Sequence, residues 1–363
     1  MLNLINIYYN LFMANNNSYF IERNKICTKK TREILKEMPD FMYDYFVGIE
    51  NNTSALTRLN YAYDLRTFFN FLMNETSLFR DKSSLFDLDA EDLNKVKSTH
   101  IERFLSYVSS YETEDGKTMQ NTERGKARKL ASVRSLFKYL FRHNILEADV
   151  ASKVPTPKLH DKSIIRLEAD EVAKFIDNTE SGYGLSGHAQ SYHEHTKVRD
   201  VAIVTLLLGT GMRISECVGL NVSDIDFSTN GLKITRKGGN QTILYFSDEV
   251  KVALVDWLNE RNANPYLAEE DALFTSLQNR RISPRAVQKL VKKYAEITTP
   301  LKKITPHKLR STYGTSLYRE TGDIYIVADV LGHKDVNTTK KHYAAISEDL
   351  RRTVADKVKL RDD

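Results

Sequence analysis

The sequence predicts a mainly α-helical protein of two domains, with a small antiparallel β-hairpin in the second. Three observations carry this expectation. Long stretches repeat their apolar residues at the three-to-four spacing of a helix with one buried face. A single stretch, GLKITRKGGNQTILYF (231–246), alternates around a Gly-Gly-Asn turn as two paired strands do. Finally, SKVPTPKLHDKS (152–163) sets two prolines among polar residues with no apolar period, which marks a linker. At 363 residues the chain has room for two domains of ordinary size, each able to bury a core.

Taken in order, residues 1–40 are expected to be an N-terminal extension. Its opening, MLNLINIYYNLFM, is apolar but has no basic flank or cleavage site and is too short to cross a bilayer, so neither export nor a membrane anchor is expected. Met13 is carried as an alternative start. A helical domain follows over 41–151. Its clearest piece, TRLNYAYDLRTFFNFLMN, puts Leu65, Phe68, Phe69 and Leu72 on one face. A second, TERGKARKLASVRSLFKYLFRHN, places Leu130, Val133, Phe137 and Leu140 on one side, with Arg134, Lys138 and Arg142 on another. That basic side reads either as a solvated face or as a nucleic-acid contact.

After a linker at 152–166, the second domain covers 167–363. Within it SGYGLSGHAQSYHEHTK reads as a surface loop; His188, His193 and His195 there lack the Cys or HExxH company of a metal site, and no metal is expected. VRDVAIVTLLLGTG reads as a buried helix ended by glycines. The hairpin follows, then four helical segments: ISPRAVQKLVKKYAE, TPHKLRSTYGTSLYRE, DIYIVADVLGH and a last one within SEDLRRTVADKVKL.

Composition narrows the function classes. A 41% hydrophobic share with 28% charged residues is that of an ordinary globular chain. Cys27 and Cys217, far apart and outside any CxxC, give neither a disulfide framework nor a zinc site, which fits a reducing cytoplasm. The formal charge of +5 and pI near 8.8 permit a polyanionic partner without requiring one.

Several residues invite chemistry, each with a plainer alternative. Thr305 and Pro306 are suited to start a helix, which sets His307 and Arg310 one turn apart near its electropositive end, able to grip one anion or to make a surface ion pair. In GTGMRISE, Arg213 opens a helix and either spans a cleft or pairs with Glu216. No nucleotide-binding glycine motif is completed. Lys237 lies at the hairpin tip beside Gly238 and Gly239, in solvent or as a mobile acid. His333 follows Gly332 at a helix end, where capping is the usual role, and Tyr343 alone would be assigned to packing.

As an ordered set, Arg213, Lys237, His307, Arg310, His333 and Tyr343 resemble, residue by residue, the catalytic pattern of the tyrosine recombinase family, nearest to its Xer-like members. The likeness covers about 165–350 and more loosely 41–150, where TRLNYAYDLRTFFNFL and ASVRSLFKYL resemble the family's core-binding domain. Ser311 departs from the pattern where a second histidine is common, and the His-rich stretch before Val198 resembles an insertion. The residues preceding the helical domain are too few for the arm-binding domain of many phage integrases.

The resemblance implies a two-domain C-shaped clamp on double-stranded DNA, a SAM-like helical core-binding domain plus the catalytic domain. It implies Tyr343 as nucleophile, Arg213 and Arg310 as phosphate clamps, His307 and His333 as proton-handling and orienting groups, and Lys237 as acid. No cofactor and no metal is implied. Beside such a domain Arg128, Lys129, Ser132, Arg134 and Lys138 become candidates for DNA contacts. The family acts as a tetramer on DNA, and the apolar stripe Ile346, Leu350, Val354, Val358 fits docking on a neighbour or on its own domain. A type IB topoisomerase-like enzyme and a decayed DNA-binding protein are the alternatives. The core-binding helices disfavour the first and the complete residue set the second.

Overall fold

A computed structural model describes residues 18–113, 116–159, 165–236, 239–267, 270–333, 335 and 336. The chain divides into two compact units, one described over 18–159 and the other from 165 onward. Both are mainly helical. No described helix is long and apolar enough to cross a membrane.

The first unit contains α1 (Ser18–Leu35), α2 (Phe41–Gly48), α3 (Ala55–Asn74), α4 (Ser98–Tyr107) and α5 (Glu123–Arg142). Ser54 starts α3 by accepting a hydrogen bond from the Thr57 backbone N–H, which satisfies one orphan donor of the first turn. From there Leu65, Phe68, Phe69 and Leu72 all point inward with no exposure. Leu130, Val133 and Phe137 of α5 are equally buried, and Phe68 meets Phe104 and Phe137 edge to face at 5.0 and 6.4 Å.

Two features differ from the expectation. Helix α1 falls in the stretch assigned to an extension, yet it packs against α3 and buries Cys27, Ile34 and Leu35 in the same core. A small hairpin, β1 (Ser110–Glu112) and β2 (Thr118–Gln120), pairs Ser110 with Gln120 and Glu112 with Thr118 inside a region read as helical. Its strands are three residues long and mostly exposed, so they carry no usable alternation.

The second unit is arranged around α8 (Lys197–Thr210), whose Ala202, Ile203, Val204, Leu206 and Leu207 are fully buried. Packed on it are α6 (Ala169–Ser181), α10 (Asp248–Asn262) and α12 (Pro306–Thr321), with α11 (Pro284–Thr298) against α6. Gly211 ends α8 in the left-handed conformation at φ +61°, where a Cβ would come within 2.3 Å of Tyr313 Cδ1. Short α9 (Ile214–Gly219) follows directly. The three-stranded antiparallel sheet runs β3 (Ile225–Asp226), β4 (Gly231–Thr235), β5 (Gln241–Tyr245), with Gly231 opposite Tyr245 and Thr235 opposite Gln241. α13 (Ile324–Leu331) closes the described part.

The His-rich stretch is not a surface loop throughout. His188–Glu194 forms a short helix, α7, that leaves His188 and His195 exposed but buries His193. His193 Nδ1 lies 3.1 Å from the Tyr294 hydroxyl, which donates to Asp200 Oδ2 at 3.0 Å. No group of three or more His, Cys, Asp or Glu among the described residues is placed to hold a metal ion.

Candidate active site

The site is built where α8, α12 and α13 end or begin together. Arg213, the residue before α9, has extended backbone, and its own N–H donates to Glu216 Oε2 at 2.7 Å. Its Nη1 donates to Glu216 Oε1 at 2.9 Å and its Nη2 to the Gly332 carbonyl at 3.1 Å. Both sequence readings of Arg213 therefore hold at once: Glu216, itself buried, pairs with the guanidinium and aims it.

Arg310, on α12, is buried at 5% exposure. Its Nη1 donates to the Gly211 carbonyl at 2.7 Å and its Nη2 to the Leu331 carbonyl. Thr305 precedes the helix and Pro306 is its first residue, as expected, although the Thr305 side chain makes no capping hydrogen bond. Burial of the Pro306 ring fixes the entry of the chain. His307, one turn before Arg310, is exposed in the first turn of α12. His333 follows Gly332 directly, half-buried, with its backbone N–H donating to the Ala328 carbonyl at 2.9 Å.

A residue the sequence reading passed over completes this arrangement. Arg236, one position after β4, donates from Nη2 to the Val330 carbonyl at 3.0 Å and to that of Asp329 at 3.3 Å. Three arginines thus cover four consecutive carbonyls, 329 to 332, at the C-terminal end of α13. That end carries partial negative charge, so cations belong there. Carbonyls are dipoles and not counter-charges. They fix the direction of each guanidinium without neutralising it, and only Glu216 and Asp329 offset part of the total. Burial lowers the Arg236 pKa, Glu216 opposes that, and the like charge of Arg213 adds to it. The signal available in the sequence was a second basic residue directly before Lys237.

Cys217, next to Glu216, is fully buried, and its thiol is pushed up to about 12 by that burial, which rules it out as a nucleophile. Arg213, His307, Arg310 and His333 are brought together by three helix ends; Lys237 and Tyr343 lie outside the described residues, as do Met1, Met13 and the stripe Ile346, Leu350, Val354, Val358.

The candidate DNA contacts on α5 need correction. Ser132 has no exposure, and its hydroxyl donates to the Lys129 carbonyl at 2.7 Å. Lys129 is buried at 5% exposure with Nζ 3.1 Å from Asp64 Oδ1, and Arg128 Nη1 takes the other oxygen of that carboxylate. Arg134 turns to the following chain, donating to the carbonyls of Ala151 and Val154 and to Thr156 Oγ1. Asp64, a buried acid on α3, draws the first two cations inward, and the unpaired carbonyls after α5 draw the third. Lys138 stays exposed, as does Arg128 for the most part.

Oriented arginines and a pair of helix-end histidines, carried by a helical unit with a small sheet, define the class of the tyrosine recombinases. The chain belongs to the phage integrase family, which residues 166–349 match. It is 31% identical over 358 residues to tyrosine recombinase XerC of Caldanaerobacter subterraneus subsp. tengcongensis, covering 94% of each chain. To tyrosine recombinase XerS of Streptococcus uberis it is 28% identical over 366 residues, covering 93% of this chain and 100% of that one. In fold it is similar to the XerH site-specific recombinase bound to a palindromic difH substrate, with TM-score 0.62 and 19% identity over 84% of this chain and 80% of that one.

Proposed function

We propose that this protein is an Xer-like site-specific recombinase that binds a double-stranded DNA site and breaks and rejoins it through a 3′-phosphotyrosyl link on Tyr343. The reading is carried by Arg213 and Arg310, braced on the adjacent carbonyls of Gly332 and Leu331. A phosphodiester resists attack because its charge repels nucleophiles and its alkoxide is a poor leaving group. Two guanidiniums fixed in direction answer the first problem. They stabilise the charge that grows on the non-bridging oxygens and need no reorganisation as it grows.

In this scheme the Tyr343 hydroxyl oxygen bonds to phosphorus while the bond to the 5′ oxygen breaks. His307 takes the tyrosine proton, and Lys237 gives a proton to the departing oxygen. His333 orients the phosphate. A partner strand's 5′-hydroxyl then attacks the phosphotyrosine, and the protons return by the reverse route. Because the ester bond energy is kept, no energy source is consumed. Exchange between two duplexes requires four protomers, with 346–358 as the docking segment, and serves either chromosome dimer resolution or movement of a genetic element.

The deciding experiment is covalent trapping on a nicked duplex. Wild-type protein should become linked to DNA, and Tyr343→Phe should lose the link while binding DNA nearly as well, since a single oxygen is removed. Wild-type-like trapping by that variant would end the proposal.

A further inference from the structure

We propose that Arg236 is a positioning residue for cleavage: it fastens the root of the β4–β5 hairpin to the end of α13 and thereby sets Lys237 against the phosphate held by Arg213 and Arg310. The inference rests on the reading above in which Lys237 is the acid.

The backbone of Arg236 closes the hairpin turn from both sides. Its N–H donates to the Asn240 carbonyl at 2.8 Å, and its own carbonyl accepts from the Gly239 N–H at 3.0 Å. Its side chain meanwhile holds the Asp329 and Val330 carbonyls. One Cα therefore joins the turn geometry to the helix end, and Lys237 is the next residue in the chain.

Gly332 is shaped for this contact. A Cβ there would fall 1.2 Å from Arg236 Nη1 and 2.3 Å from Cζ, so any side chain would evict the guanidinium. Gly332 also has φ +61°, and its carbonyl is the one that holds Arg213. The same three residues of chain thus brace the phosphate-gripping arginines and the hairpin root. A solvated turn residue would not bury its guanidinium against a bare glycine; a residue whose task is to fix distance would.

The test uses full-length protein, a nicked duplex and the same duplex with sulfur as the bridging 5′ atom, a leaving group that departs without an acid. Arg236→Ala should bind DNA as the wild type does but cleave the oxygen substrate about 10²-fold more slowly, the scale of loss expected from a misplaced catalytic group. On the sulfur substrate it should return to within a few-fold of wild type, as Lys237→Ala should. Arg236→Lys, which keeps the charge but not the fork, should show the same pattern in milder form. Equal slowness of Arg236→Ala on both substrates, with Lys237→Ala rescued, overturns the inference and leaves the acid reading standing. Failure of sulfur to rescue Lys237→Ala overturns both. Amide exchange at 239–245 adds a readout independent of activity: it should quicken in Arg236→Ala, and unchanged exchange counts against the anchor.

Discussion

Replacing Lys129 by Ala distinguishes a lysine that touches DNA from one that holds the helical unit together. Its Nζ sits 3.1 Å from Asp64 Oδ1, with side-chain exposures of 6% and 1%. Removing one partner of a buried ion pair leaves the other charge without compensation, which costs about 3–5 kcal/mol. Asp64 would retain Arg128, whose side chain is 46% exposed and therefore a weaker, screened partner. The loss should accordingly fall near the lower end, about 3 kcal/mol. For a unit of this size that lowers the melting transition by about 6–12 °C. Calorimetry of the full chain reads the shift, and DNA binding measured across a salt series reads the rest. The slope of log affinity on log salt should not change, because no phosphate contact is lost. A variant with wild-type melting and a slope reduced by about one unit would refute the inward assignment.

Lys138, exposed on the same helix, should behave in the opposite way: Lys138→Ala should leave melting unchanged and flatten the salt slope by about 0.9 if it meets one phosphate, as filter binding would show. An acid-stability prediction follows from Asp92. Burial pushes this carboxyl up, but hydrogen bonds from Lys82 and Lys95, both at 2.8 Å, and from the Asp89 N–H outweigh it and hold the group at about 2, below its ordinary 3.8. A lowered acid stabilises the fold fully above 3.8 and ceases to do so as pH falls to about 2. Urea midpoints should therefore decline through that window, and Asp92→Asn should be less stable at pH 6 yet decline less.

The legible parts of this protein are those that local spacing determines. Leu65, Phe68, Phe69 and Leu72 announce a buried face because a helix brings them together whatever surrounds it. Gly211 and Gly332 announce helix ends because the left-handed turn is cheap for them alone. The hairpin 231–245 was visible through five-residue strands with a turn between them. Arg213, His307, Arg310 and His333 were recognisable as an ordered set, although none is informative singly. The parts that could not be read depend on partners distant in the chain. Lys129 and Ser132 look like members of a basic face until Asp64, on another helix, supplies the carboxylate that turns Lys129 inward. Helix α1 is polar over most of its length, and its few apolar anchors make sense only against α3. Arg236 resembles any turn arginine until a bare glycine from α13 is placed under it.

The contact between His193 and Tyr294 bears on how this branch of the family can be remodelled. A segment that looks like an addition between α6 and α8 would ordinarily be exchangeable as a cassette, since surface insertions tolerate swapping. Here its histidine ring packs so closely on Gly182 that a Cβ there would lie 2.5 Å from Cδ2, and it is linked through the Tyr294 hydroxyl to Asp200. That carboxylate also holds Arg199, Lys293 and Thr196. Excising the segment would strip one end from a buried polar chain whose other members lie on the central helix and on α11. Such chains are costly when half satisfied. Grafts between relatives must therefore carry residues 182–195 together with Asp200 and Tyr294, or remove all of them.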